Sequence, residues 1–164
     1  MQYLKFSVGI ILAIAATRLI PHPPNFTSLI AISFYATALL GILYLPIILL
    51  SFFITDLIIG FHQTLFFTWG SIVIIGLTSK YFIKNIKWRA LGVSLSAVIF
   101  FIVSNFGVWL TGSYGLTING LITCYIMAIP FFKSTLAATI IYSFIIETVY
   151  KFIIKEKIYT NNLG

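Results

Sequence analysis

The sequence predicts an all-α integral membrane protein: six transmembrane helices in a single domain spanning 1–164, with both termini on the cytoplasmic side. Three observations carry this expectation: the hydropathy, the scarcity of charge and the placement of the charge that remains. Of the 164 residues, 60% are apolar and 8% charged, and the mean hydropathy is +1.10. A soluble domain is about half apolar and about a quarter charged. Ten Lys or Arg and three Asp or Glu cannot wet the surface of such a chain. Apolar runs of about 17–25 residues cross ~30 Å of hydrocarbon, so six spans leave only short loops and no separate soluble domain.

The first span is read at about 3–20. Its beginning resembles a signal peptide, with Lys5 before an apolar stretch and Ala13-Ile14-Ala15 placed like a cleavage site. It is nevertheless read as a span, stopped by Pro21-His22-Pro23-Pro24, because prolines remove donors and push the preceding residue out of helix. Residues 29–60 form one apolar run broken only by Gly41, Pro46 and Asp56. As one helix it would be about 48 Å long, well beyond the hydrocarbon thickness. Two short spans are therefore expected, at 28–43 and 46–61, tilted or partly buried in the bundle. A fourth span at 65–83 ends among Lys80, Lys84, Lys87 and Arg89, and a fifth follows at 90–110. Residues 111–120 are rich in Gly, Ser, Thr and Asn and read as a loop. Residues 121–130 are apolar but too few to cross, so an interfacial or loop helix is expected there, before a last span at 133–153.

Charge selects six spans. With six, Lys5, Lys80, Lys84, Lys87, Arg89, Lys151, Lys155 and Lys157 share one side, against Arg18 and Lys133 on the other. That asymmetry follows the positive-inside rule and puts both termini in the cytoplasm. The net charge of +7 is thereby read as orientation, not as a nucleic-acid surface. The one cysteine, Cys124, excludes an intrachain disulfide framework and reads as a packing residue.

The outer connections hold most of the unusual polar residues: Arg18, His22, Asn25, Asp56, His62, Gln63, Asn105, Asn119 and Lys133. Asp56 falls within a span, where an ionisable group is costly unless paired or facing a wet cavity. Arg18 is its natural partner, either as a structural bridge or beside a ligand. Asn105 and Trp109 are spaced i, i+4 and share a helix face, an amide and an indole suited to a flat hydrogen-bonding ligand; Trp109 also fits an interfacial belt. Lys133 either contacts an anionic ligand or snorkels outward. His22 and His62 lack the acidic cluster or paired spacing of a metal or haem site, and no resident cofactor or metal is expected. Phe26, Tyr114 and Tyr125 supply aromatics near the mouth. Gly9, Ala13 and Ala16 make a smooth face on the first span, for internal packing or for another membrane subunit; Ala90, Ser94 and Ala97 repeat it on the fifth. Glu147 and Lys151 form an i, i+4 pair.

Serine-hydrolase, zinc-protease and phosphate-loop motifs are absent, as is an Asp-rich diphosphate motif, so no catalytic residues and no enzyme activity are expected. The remaining enzyme alternative is a membrane-embedded one acting on a lipid or prenyl substrate through Asp56 and His62. A purely structural membrane subunit is the other alternative.

Four segments carry a resemblance: Thr17-Arg18-Leu19-Ile20-Pro21-His22-Pro23-Pro24-Asn25-Phe26-Thr27, Asp56-Leu57-Ile58-Ile59-Gly60-Phe61-His62, Ser104-Asn105-Phe106-Gly107-Val108-Trp109 and Pro130-Phe131-Phe132-Lys133-Ser134-Thr135-Leu136. Together they resemble a family of small six-helix bacterial membrane proteins that looks like the substrate-binding (S) components of energy-coupling factor (ECF) vitamin transporters. The resemblance implies an S-component-like bundle in the bacterial cell membrane, which binds a vitamin in a pocket open to the outside. Release would follow toppling of the bundle, driven by ATPases through a transmembrane coupling subunit that docks on the small residues of the first helix. The expected ligand-binding residues are Arg18, His22, Asn25, Asp56, His62, Asn105, Trp109, Tyr114 and Lys133. Cobalamin is the first expectation for the ligand, with a thiamine precursor, pantothenate or a queuosine-type base as alternatives.

Overall fold

A computed structural model describes residues 2–161, with side chains as far as residue 152. The side chains of Lys155 and Lys157, counted above among the inner charges, lie outside the described part. Six helices and no strand occur among the described residues: α1 (Gln2–Leu19), α2 (Leu29–Tyr35), α3 (Leu45–Ile59), α4 (Leu65–Thr78), α5 (Ile86–Leu110) and α6 (Ile118–Asn161). Five helical stretches are long and apolar enough to cross a membrane, namely Gln2–Leu19, Ile42–Ile59, Leu65–Phe82, Ile86–Leu110 and Ile118–Phe152.

The second expected span is the exception. Its apolar stretch, Leu29–Leu40, continues α2 through a wider π turn at Ala36–Leu40 and stops at Gly41. At 1.5 Å per residue it is about 18 Å long, short of the bilayer core. Every residue of α2 is buried, and α2 touches each of the other five helices. A helix wrapped by protein need not match the lipid thickness, because its neighbours do so for it. Its Phe34 shares one core with Ile14, Ile48, Ile72, Ile75 and Val93 of the surrounding helices.

The chain reversals have local causes. Gly41 and Gly60 take φ values of 109° and 107°, which bulky side chains avoid, and each ends a helix. Pro46 sits in the first turn of α3, where its missing N–H costs nothing. The side chain of Asn85 accepts a hydrogen bond from Trp88 N at 3.0 Å, so α5 begins at Ile86, four residues before the expected start.

The largest departure is α6. Residues 121–130 do not form a separate interfacial helix but are the opening turns of one 44-residue helix that runs on through Pro130. A proline inside a helix forfeits one backbone bond, a loss that a long apolar helix tolerates. At about 66 Å, α6 exceeds the hydrocarbon thickness, and its Ile118–Phe152 stretch counts as one candidate span.

A second departure concerns Glu147. Its carboxylate is held by Arg89 of α5, Nε to Oε1 at 2.5 Å and Nη2 to Oε2 at 2.8 Å, a bidentate pair between helices in place of the expected local pair with Lys151. On α6 the buried hydroxyls of Thr135, Thr139 and Ser143 lead to Glu147 at successive i+4 positions, each donating to a carbonyl one turn back.

Candidate binding cavity

Three connections, α1–α2, α3–α4 and α5–α6, meet at one end of the bundle, called distal here because the N-terminus lies at the other. Between them lies a cavity of ≈ 380 Å³. Pro24 and Asn25 contribute from the first connection, His62 and Thr64 from the second, and Tyr114 from the third. Its floor is apolar and aromatic: Phe100 and Phe101 from α5, Met127, Phe131 and Phe132 from α6. Phe101 and Phe132 lie 4.7 Å apart, tilted by 43°. A second lobe of ≈ 220 Å³ holds Arg18, His22 and Thr27 and shares Asn25, His62, Thr68, Phe100 and Thr135 with the first, so the two adjoin.

The rim is shaped by its turns. Asn25 has φ 61°, a left-handed conformation that asparagine tolerates better than most residues, and Phe26 N donates to Pro23 O at 3.0 Å to close the turn. His22 Nδ1 is 2.7 Å from Pro23 O, and His62 Nδ1 is 3.2 Å from Thr64 Oγ1. Because a carbonyl only accepts, the His22 contact requires a proton on Nδ1.

Beneath the smaller lobe, Arg18 and Asp56 form the expected bridge. Arg18 Nη2 donates to Asp56 Oδ1 at 2.7 Å, and Trp69 Nε1 donates to Oδ2 at 2.9 Å. Both carboxylate oxygens are thus engaged, and Asp56 is 0% exposed. Arg18 Nη1 donates to Thr55 Oγ1 at 2.5 Å and to Phe52 O at 3.3 Å, and the guanidinium lies 4.2 Å above the Phe52 ring. The Arg18 side chain keeps 12% of its surface accessible, against 1% for Asp56. The pair therefore presents its positive member to the cavity.

Of the expected ligand residues, Arg18, His22, Asn25, His62, Asn105 and Tyr114 line one lobe or both. Asp56 does not; it holds Arg18 from behind. Trp109 does not either, since its indole N–H donates to Gly115 O at 3.1 Å and pins the α5–α6 connection. The two residues spaced i, i+4 are thus split between lining and bracing. Asn105 donates through Nδ2 to Phe101 O at 2.7 Å, one turn back, and its Oδ1 finds no donor among the described residues. Lys133 is exposed and outside the lining, consistent with outward snorkelling. Phe26 packs on Tyr142, and Tyr125 donates its hydroxyl to Ile102 O at 2.7 Å.

Several lining residues give no signal in the sequence. Thr68, Ser104, Ala128 and Thr135 are ordinary helix residues there, and Trp69 is separated from Asp56 by a turn that no spacing rule bridges. Cys124 does line the cavity while remaining 2% exposed, its thiol 3.4 Å from Asn105 O. On α1, Gly9, Ala13 and Ala16 are exposed, and a Cβ added at Gly9 would meet nothing within 4 Å, so internal packing does not account for the stripe. On α5 the comparable stripe is divided, with Ala97 buried and Ala90 exposed. Among the described residues no group of three His, Cys, Asp or Glu could hold a metal ion.

A family model described as a family of unknown function (DUF6580) matches residues 2–161. No curated protein and no solved structure matches the chain.

Proposed function

The chain belongs to the DUF6580 family, and from the geometry of its distal cavity we propose that it is the substrate-binding membrane subunit of an ECF-type transporter for a vitamin or related micronutrient. The observation that carries this reading is the two-lobed cavity, with aromatic walls, amide and imidazole groups on its rim, and three connections around its mouth. Small-molecule sites are concave, mostly apolar and supplied with a few polar groups, in cavities of about 300–1,000 Å³. At ≈ 380 Å³ the larger lobe lies near the lower bound, which favours a vitamin of one or two rings over cobalamin, the first expectation.

Orientation belongs to the same proposal. Lys5, Lys80, Lys84, Lys87 and Lys151 lie at or near the ends opposite the cavity, which supports an orientation with that end and both termini in the cytoplasm and the cavity open outward in the bacterial cell membrane. The uncovered stripe of Gly9, Ala13 and Ala16 supports docking of a transmembrane coupling subunit served by ATPases. A membrane enzyme using Asp56 and His62 finds less support, because the carboxylate is fully engaged by Arg18 and Trp69.

The test is equilibrium binding of a vitamin panel to the purified chain in lipid nanodiscs. Sub-micromolar, saturable binding of one compound is expected, weakened about tenfold by Asn105→Ala through loss of one or two hydrogen bonds. No saturable binding across the panel overturns the proposal.

A further inference from the structure

The substrate-binding reading leaves the charge of the ligand open, and the smaller lobe bears on it. Three of the five N–H groups of Arg18 have acceptors: two on Nη1 go to Thr55 Oγ1 and Phe52 O, and one on Nη2 goes to Asp56 Oδ1. Among the described residues, Nε–H and the second Nη2–H have none. No Asp or Glu lines either lobe. Asp56 is shielded behind Arg18 with both oxygens occupied, and Glu147 is bound to Arg89 three helical turns further along α6 from Thr135. A cation entering the cavity would therefore meet an arginine and no exposed carboxylate. An anion would meet spare guanidinium donors where little water competes.

Resting on that reading, we infer that the cavity selects a planar ring bearing an anionic group, carboxylate or phosphate, with the anion in the smaller lobe at Arg18 and the ring in the larger lobe. The adjoining lobes match such a two-part molecule: Phe100 borders both, while Phe101 and Phe132 form aromatic walls in the larger one. Asn25 and His62, common to both lobes, stand where the anionic arm would join the ring. Asp56 is a positioning residue. It fixes the guanidinium fork and offsets the cost of keeping Arg18 charged in a span, so the lobe is pre-formed. The same arrangement disfavours a cation such as thiamine.

The test uses the purified full chain in nanodiscs and probe pairs that differ in one anionic group: nicotinate against nicotinamide, biotin against biotin amide, and pyridoxine 5′-phosphate against pyridoxine, with thiamine as the cation. The anionic member of at least one pair is expected to bind at least about tenfold more tightly than its neutral partner, the usual scale for one charge-assisted hydrogen bond. The first two pairs report a carboxylate and the third a phosphate. In Arg18→Gln/Asp56→Asn, which removes both charges together, the preference is expected to fall to within about twofold while the neutral partner still binds. Equal or tighter binding of the neutral partners or of thiamine to the wild-type chain overturns the inference and leaves the transport reading standing. Persistence of the full anion preference in the folded double variant overturns the assignment to Arg18. Should the double variant fail to fold, the wild-type pairs decide. Absence of binding to every probe overturns this inference, and absence across the whole vitamin panel overturns the transport reading as well.

Discussion

Arg18 and Asp56 illustrate how one pair can be both structural and close to function. Removing one member strands the other without a counter-charge, which in protein interiors costs about 3–5 kcal/mol, whereas removing both together costs far less. Arg18→Gln and Asp56→Asn are each expected to lower the thermal midpoint of the detergent-solubilised protein by several degrees, and the double variant to recover most of that loss. Equal, additive losses would contradict the coupling drawn from the 2.7 Å contact. Asn105 and Trp109 make the opposite case, two residues on one helix with separate roles. Trp109→Phe removes the bond to Gly115 O, outside the lining, and is expected to leave ligand affinity within about twofold; titration beside Asn105→Ala checks this.

Helix packing imposes its own demands, clearest at two glycines of α5. A Cβ at Gly107 would lie 2.5 Å from the Phe67 ring, and one at Gly92 would lie 2.5 Å from Phe82. Gly107→Ala is therefore expected to destabilise the bundle by about 1–3 kcal/mol, as overpacking does, and Gly9→Ala, with open space around it, to leave the melting midpoint unchanged. The two are compared by thermal unfolding in the same detergent. Hydropathy, proline and glycine made four of the span boundaries legible to within a few residues: the stop at Pro21, the break at Gly41, the start near Leu65 and the end at Leu110. What they could not convey was which helix is central. The apolar run of α2 looks like any other span, and its burial follows from contacts with all five neighbours. The joining of residues 121–130 to α6 was hidden for a different reason: a proline reads as a stop, yet it forfeits only one backbone bond, and here the helix runs on through it. The candidate site was legible where chemistry is rare, at Arg18, His22, Asn25, His62 and Asn105. It was illegible where a common residue happens to face inward, as at Thr68, Ser104 and Thr135.

Taken as a whole, the molecule has two polar ends of different character. The distal end gathers amides, imidazoles and one arginine around a cavity, and the opposite end carries lysines and the closed Arg89–Glu147 pair. The proposed orientation predicts that a cysteine introduced at Leu116, exposed in the α5–α6 connection, reacts with a membrane-impermeant maleimide in intact cells, and that one at Lys84 does so only after permeabilisation. The native Cys124 is buried and contributes little background. The reverse pattern would invert the bundle. The central claim, that the cavity holds a small molecule, is tested most directly by mass spectrometry of the small molecules carried through purification of the wild-type chain and of Ser104→Phe, which fills the lining. One compound at close to one per wild-type chain is expected, and its loss from the folded variant. A compound retained equally by both, or none in either, would contradict it.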